Sequence, residues 1–172
     1  GNCDDKSRPK LNEHLVHKVV CNIIAAGDVP DNMYEVAVDF KGIRFCPWSD
    51  LVAEYEYNHE QEYFGILVPT ADTTKYRYLL NALLQNSCHT LVMGQTGVGK
   101  SVIVQGFLND MVLTEKYSCG TSNYSAQTTP KNLRTVFEAS LEKKRKNLLG
   151  PPAGKKMLMF IDDLNMPALE EY

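Results

Sequence analysis

Apolar residues recur at Leu11, Leu15, Val16, Val19, Val20, Ile23 and Ile24, a helical spacing that Gly27 and Pro30 bring to a stop. The ten residues before it, GNCDDKSRPK, are polar and aperiodic and read as a disordered or appended tail. Between 33 and 68 the runs shorten to MYEVAVDF, IRFCPW and YFGILV, broken by Gly42, Pro47 and Gly65, which predicts short strands and turns. A second helix carries Tyr76, Leu79, Leu80, Leu83 and Leu84 on one stripe, with Thr70 or Asp72 as its N-cap. From residue 88 the texture changes. CHTLVM (88–93) reads as a strand, a Gly-rich loop follows, and the next helix sets Val104, Phe107, Leu108 and Met111 on one face. A strand over about 118–126 precedes the helix PKNLRTVFEASLEKKRKNLL, which Pro130 opens and whose stripe is Leu133, Val136, Phe137 and Leu141. LLGPPAGKK breaks that helix, and MLMFI (157–161) is a buried-type strand running into Asp162-Asp163. Strands alternating with helices predict an α/β fold, a parallel sheet covered by helices, with a small N-terminal helix and short strands ahead of it.

Composition narrows the function classes. The chain has 172 residues, 44% of them hydrophobic, with 18 Lys+Arg against 21 Asp+Glu and a formal charge of −3. That balance argues against a dedicated nucleic-acid binder, which carries a basic excess. No run approaches the ~18 apolar residues of a membrane-spanning helix. The five cysteines include no C-x-x-C pair and are odd in number, so reduced thiols are expected rather than a disulfide framework.

The sharpest signal is Gly94-Gln95-Thr96-Gly97-Val98-Gly99-Lys100-Ser101, a full match to G-x-x-x-x-G-K-[ST] between a predicted strand and a predicted helix. A loop that wraps phosphate in its own N–H groups needs glycines for unusual φ/ψ and for close approach. The helix that follows aims its positive dipole end at the anion. Gly94, Gly97, Val98, Gly99, Lys100, Ser101 and Val102 form the expected nucleotide-binding set. Lys100 supplies an ammonium to the β/γ-phosphates and the Ser101 hydroxyl a Mg²⁺ ligand. The apolar strand ending in two acids is the matching half, a Walker B arrangement. Asp162 is expected to hold Mg²⁺ and Asp163 to act as the catalytic base that orients water.

LVMGQTGVGKS, NYSAQTTP, LLGPPAGKK and FIDDLNMPALEEY resemble the AAA+ modules of dynein heavy chains, and F-I-D-D-L-N-M-P most resembles the third module of the axonemal motor ring. ILVPTADTTKYRYLL and the Pro47-Trp48 region are similar to what precedes that module's P-loop. The resemblance covers about residues 45–172. It implies a P-loop NTPase of the AAA+ type, a three-layer αβα sandwich cut off after the Walker B strand. Residues 11–62 become a connector from the preceding module, and 63–172 the first part of the large nucleotide-binding subdomain. It also implies that Ile66, Leu67, Val68 and Pro69, with Thr70, contact adenine. ATP or ADP with Mg²⁺ is the implied ligand, in a site that regulates a microtubule motor of cilia. Neighbouring AAA+ modules of the same heavy chain become the partners, and microtubules are met only through distant regions. The implied location is the cytoplasm, the cytoskeleton and the axoneme, with no nucleic acid or membrane partner.

One departure stands out. AAA+ enzymes usually end this strand in Asp-Glu, and here it is Asp-Asp. A carboxylate one methylene short implies tight binding and slow turnover, since general-base catalysis contributes about 10²–10⁴-fold. The chain ends nine residues after Asp163, before any sensor residue or arginine finger. In the AAA+ order the next strand lies between the P-loop and Walker B strands, so the expectation is a piece of a longer chain, marginal and inactive alone. Two other readings stay open: a structural module in which nucleotide braces the ring without hydrolysis, and a stand-alone P-loop ATPase.

The remaining constellations favour bland readings. His14, His17 and Cys21 fall on one helical face without a fourth ligand nearby, and polar-face residues explain them better than a metal site. Lys143, Lys144, Arg145 and Lys146 read as a solvated helix face with a Glu142–Lys146 pair rather than a polyanion patch.

Overall fold

The computed structural model describes residues 6–16, 30–39, 42, 44–55 and 67–169, and they divide into two compact units, 1–82 and 83–172. In the first unit, helix α1 (Arg8–His14) begins inside the stretch expected to be aperiodic, with Pro9 in its first turn. Pro fits there because its missing N–H would go unused. The helix is tied down by Asn12, whose Nδ2 donates to Asp31 O (2.6 Å) and whose Oδ1 accepts from the Met33 amide (2.8 Å). The Arg8 guanidinium lies 5.8 Å from the Tyr34 ring centroid, within cation–π range. Val19, Val20, Ile23 and Ile24 of the expected stripe lie outside the described residues, as do His17 and Cys21.

Strands β1 (Val36–Asp39) and β2 (Arg44–Pro47), short as the sequence predicted, pair antiparallel, Val36 opposite Pro47 and Asp39 opposite Arg44. A 3-10 turn, Trp48–Leu51, follows and buries Trp48. The Trp48 ring meets Tyr78 edge-on at 5.4 Å, joining the hairpin to helix α2 (Ala71–Gln85). Thr70 is the N-cap, in a reciprocal box with Thr73: each side-chain oxygen accepts from the other's amide, at 3.2 and 2.8 Å. The predicted stripe of α2 is split, Leu80 and Leu84 half-buried while Tyr76, Leu79 and Leu83 are exposed.

The second unit holds α3 (Lys100–Leu113), β3 (Tyr117–Asn123), α4 (Pro130–Ala139), β4 (Glu142–Arg145), β5 (Leu148–Gly150) and β6 (Lys156–Asp162). β3 and β6 run parallel, from Tyr117 beside Lys156 to Asn123 beside Asp162. α3 packs against both strands through the buried Phe107 and Leu108, with Val104 and Met111 half-buried on the predicted face. α4 crosses β3, where space is short. A Cβ on Gly120 would stand 2.8 Å from Met157 Cε and 3.0 Å from Ser140 Oγ. The α/β class with a parallel sheet is therefore as the sequence predicted.

Two elements differ from expectation. CHTLVM (88–93) is not a strand, and Leu91 and Met93 are 65% and 81% exposed. An apolar run becomes a strand only when a neighbour completes its hydrogen-bond ladder, and among the described residues β6 pairs with β3 alone. The long basic helix is also cut short. α4 ends at Ala139, capped by Ser140, and 142–150 form an antiparallel hairpin in which Glu142 pairs with Lys144 (3.0 Å) rather than with Lys146. The partner changes because an extended chain no longer stacks residues four apart, and Lys144 sits at the irregularity where the register shifts between Lys143 and Arg145.

α3 closes on Glu115, a non-glycine residue at φ 59 whose amide donates to Val112 O (3.0 Å). A side chain in this left-handed region costs about 1–2 kcal/mol, which glycine avoids at an unfolded-state entropy cost of about 0.4–1 kcal/mol. Glu115→Gly is therefore expected to stabilise the chain by about 0.5–1 kcal/mol, read as a raised denaturation midpoint at unchanged slope.

Candidate nucleotide-binding site

The phosphate loop departs from ordinary backbone at Gly99, which the motif prescribes, and at the additional Gly97. Gly97 and Gly99 sit at φ 82 and 81, left-handed values that only glycine adopts freely, and Gly99 is the N-cap of α3. A Cβ at either position would meet nothing within 4 Å. The glycines are thus required by backbone conformation, not by crowding inside the protein.

Lys100, the first residue of α3, curls over the start of the loop. Its Nζ donates to Gly94 O (3.0 Å) and Gln95 O (2.5 Å), which holds the ammonium at the mouth with donor capacity to spare. Ser101 and Val102 occupy the first turn of α3, Ser101 half-buried and Val102 exposed. The first-turn amides have no intrahelical acceptor, so this end presents N–H groups and positive dipole together.

The parallel register delivers the acids. Asp162 ends β6 and is half-buried, while Asp163 lies just beyond it, exposed, at φ 52. The Tyr124 amide donates to Asp162 O (3.0 Å), and the Asp163 amide to Asp162 Oδ1 (3.1 Å). The Ser101 hydroxyl and the Asp162 carboxylate are hard oxygen donors of the kind Mg²⁺ takes. When bound, Mg²⁺ neutralises charge on the β- and γ-phosphates. Asn123 was not singled out by sequence, yet it stands beside Asp162 in the register. Only the strand pairing could have revealed it, for a polar residue at a strand end is unremarkable by itself.

The other sequence candidates are placed as follows. Leu67, Val68 and Pro69 form an irregular segment leading into α2 in the first unit, Val68 52% exposed, while Ile66 lies outside the described residues. Thr70 is engaged as a helix cap. Thr128 Oγ1 accepts from the Ser125 amide (2.8 Å) and Ser125 Oγ from the Gln127 amide (3.3 Å), so the loop after β3 is stapled by its own side chains. Cys119, on β3, is pushed up in pKa by burial, which keeps its thiol protonated and unreactive. His89 is exposed, and among the described residues no group of three His, Cys, Asp or Glu side chains could hold a metal.

Residues 55–172 match the family described as the P-loop containing dynein motor region. The chain is 41% identical over 141 residues to human dynein axonemal heavy chain 6, covering 82% of this chain and 3% of that protein. It is 38% identical over 143 residues to the dynein-1-beta heavy chain of the flagellar inner arm I1 complex of Chlamydomonas reinhardtii, covering 83% and 3%. Rat dynein axonemal heavy chain 12 is 37% identical over 159 residues, covering 92% and 5%. The chain thus spans only a few per cent of the length of these relatives. The matched region takes in the whole phosphate loop and the Asp162-Asp163 strand end, and the chain belongs to the dynein heavy-chain family, within its nucleotide-binding P-loop AAA motor region.

Proposed function

We propose that this chain forms a regulatory ATP/ADP site in the third AAA+ module of an axonemal dynein heavy chain, with slow hydrolysis. The observation that carries the nucleotide reading is the loop itself: two left-handed glycines facing open space, an ammonium over the loop and a helix N-terminus behind it. The axonemal assignment rests on the names of the relatives, and the module assignment on FIDDLNMP. In this reading the loop amides and Lys100 hold the β- and γ-phosphates, and Ser101 and Asp162 supply the Mg²⁺ ligands. Asp163 orients the attacking water, and Leu67–Pro69 with Ile66 lie against adenine. Residues 11–62 connect to the preceding module, and 63–172 open the large subdomain. Neighbouring modules of the same chain complete the ring, and distant regions of that chain meet the microtubule in the axoneme.

Titrating the chain with a fluorescent ATP analogue and Mg²⁺, while following thermal stability, tests the site. Saturable binding is expected, adding about 2.7 kcal/mol of stability at 100 times the dissociation constant. A folded chain that binds nothing overturns the assignment. Hydrolysis is read separately, as phosphate release from an intact motor ring with the other P-loops silenced. Nucleotide held without any release would favour the structural brace over the regulatory ATPase.

A further inference from the structure

We infer that the hairpin of β4 and β5 is a docking surface for an acidic polypeptide segment, one that carries apolar side chains between its carboxylates. Lys143, Lys144, Arg145 and Lys146 are consecutive and exposed in a chain whose net charge is −3. On a helix, Lys146 would have met the Glu142 carboxylate and the other cations would have spread around the cylinder. In the hairpin Glu142 pairs with Lys144 (3.0 Å), and Lys143, Arg145 and Lys146 have no carboxylate partner among the described residues. Two more exposed cations, Lys116 and Lys156, stand at the start of β3 and β6, where the Lys156 amide donates to Lys116 O (2.9 Å). Residues 151–155 lead from the hairpin to that end of the sheet, the one opposite Asp162.

Charge alone would mark only a solvated edge, since lysines on an exposed strand deter pairing with like strands. The leucines point further. Leu148 and Leu149 are 54% and 41% exposed, and the ladder sets Arg145 opposite Leu148 and Lys143 opposite Leu149. Each exposed leucine therefore has a cation as its cross-strand neighbour, which gives the patch an apolar centre and a charged rim, as in an interface. A two-stranded hairpin is marginal in water, and β4 and β5 pair with no other strand among the described residues. A segment that alternates acidic and apolar residues supplies both missing elements, carboxylates for the cations and cover for the leucines. Nucleic acid fits less well, because residues 142–150 hold no aromatic side chain on which a base could stack. A lipid surface also fits less well, because two leucines offer little apolar area to bury in a bilayer.

The probe is a labelled peptide in which Glu and Val alternate, titrated into the chain and read by fluorescence anisotropy. Saturable binding is expected, and it should weaken as salt is raised, because the cations are exposed. The triple reversal Lys143→Glu, Arg145→Glu, Lys146→Glu is expected to lower affinity about 10-fold or more. Leu148→Thr with Leu149→Thr keeps strand-forming residues, removes the apolar centre, and is expected to lower affinity about 5- to 10-fold. Lys131→Glu, an exposed cation at the other end of α4, should stay within about 2-fold of the parent. Melting curves show whether each variant keeps the parent's fold. If the reversal lowers the melt, the neutral set Lys143→Gln, Arg145→Gln, Lys146→Gln takes its place, with an expected loss of about 5-fold. A folded parent that binds no peptide overturns the inference, as does undiminished binding by the charge variants or equal binding of a Lys–Val peptide. It is overturned equally if a single-stranded oligonucleotide or a phosphatidylserine vesicle binds through the same cations more tightly than the peptide.

Discussion

Lys100→Ala is expected to remove half or more of the nucleotide-linked stabilisation while leaving the unfolding of the free chain nearly unchanged. Among the described residues the ammonium bonds only to Gly94 O and Gln95 O, both on the exposed loop, so its removal strips no buried contact there. Those carbonyls can turn to water at little cost. With a phosphate present the balance differs, because the loop then holds several anionic oxygens against neutral amides. A hydrogen bond to a charged group contributes about 1.5–3 kcal/mol, so losing it should weaken binding by about 10- to 150-fold. At a ligand concentration 100 times the parent's dissociation constant, the gain of about 2.7 kcal/mol then falls to about 0.3–1.4 kcal/mol. Lys100→Arg is the informative companion. It keeps the charge but replaces a compact ammonium with a planar fork, and a loop whose two carbonyls converge on one nitrogen should tolerate it poorly. Parallel melts of the three proteins with and without Mg²⁺–nucleotide measure this. An Ala form that keeps the parent's shift would mean that the loop does not bind phosphate through Lys100.

How far the sequence could be read depended on whether a feature was local. The phosphate loop was legible because its constraint is local: glycines at φ near 80 and a lysine at the helix start are demanded within eight residues. The buried face of α3 was legible for the same reason, since Phe107 and Leu108 follow helical spacing. What failed required a partner. The apolar pattern of Leu91–Met93 is a strand pattern, yet no described neighbour pairs with it. Glu142–Lys146 has helix-forming composition, but the ladder with Leu148–Gly150 overrode propensity there. Asn123 beside Asp162 is a fact of register between strands that lie 39 positions apart in sequence, and no window along the chain contains both. The turn at Asp163 was hidden for a subtler reason. Its φ of 52 depends on how the chain leaves β6, and no residue pattern along the sequence announces it.

The largest loss of stability is expected at Phe107. In the second unit only Phe107 and Leu108, at 7% and 6% exposure, are buried apolar side chains among the described residues. Both lie on α3, the helix whose first residue is Lys100. Truncating Phe107 to Ala removes a ring from a core with little else to collapse into the gap, and such changes cost about 3–5 kcal/mol. A domain's entire stability is about 5–15 kcal/mol, so Phe107→Ala should leave the second unit close to its unfolding threshold at 37 °C. Phe107→Leu, which keeps much of the volume, should cost about 1–1.5 kcal/mol. The consequence for function differs in kind from that of Lys100→Ala. The helix that Lys100 begins packs against β3 and β6, and β6 is the strand that Asp162 ends. Phe107→Ala should therefore lose nucleotide affinity and stability together, and saturating nucleotide should partly restore the fold, since a ligand that binds only the native form draws the equilibrium back. Denaturant titrations of both variants, with and without nucleotide, check this. A Phe107→Ala protein within 1 kcal/mol of the parent would mean that the α3–sheet contact does not hold the site together.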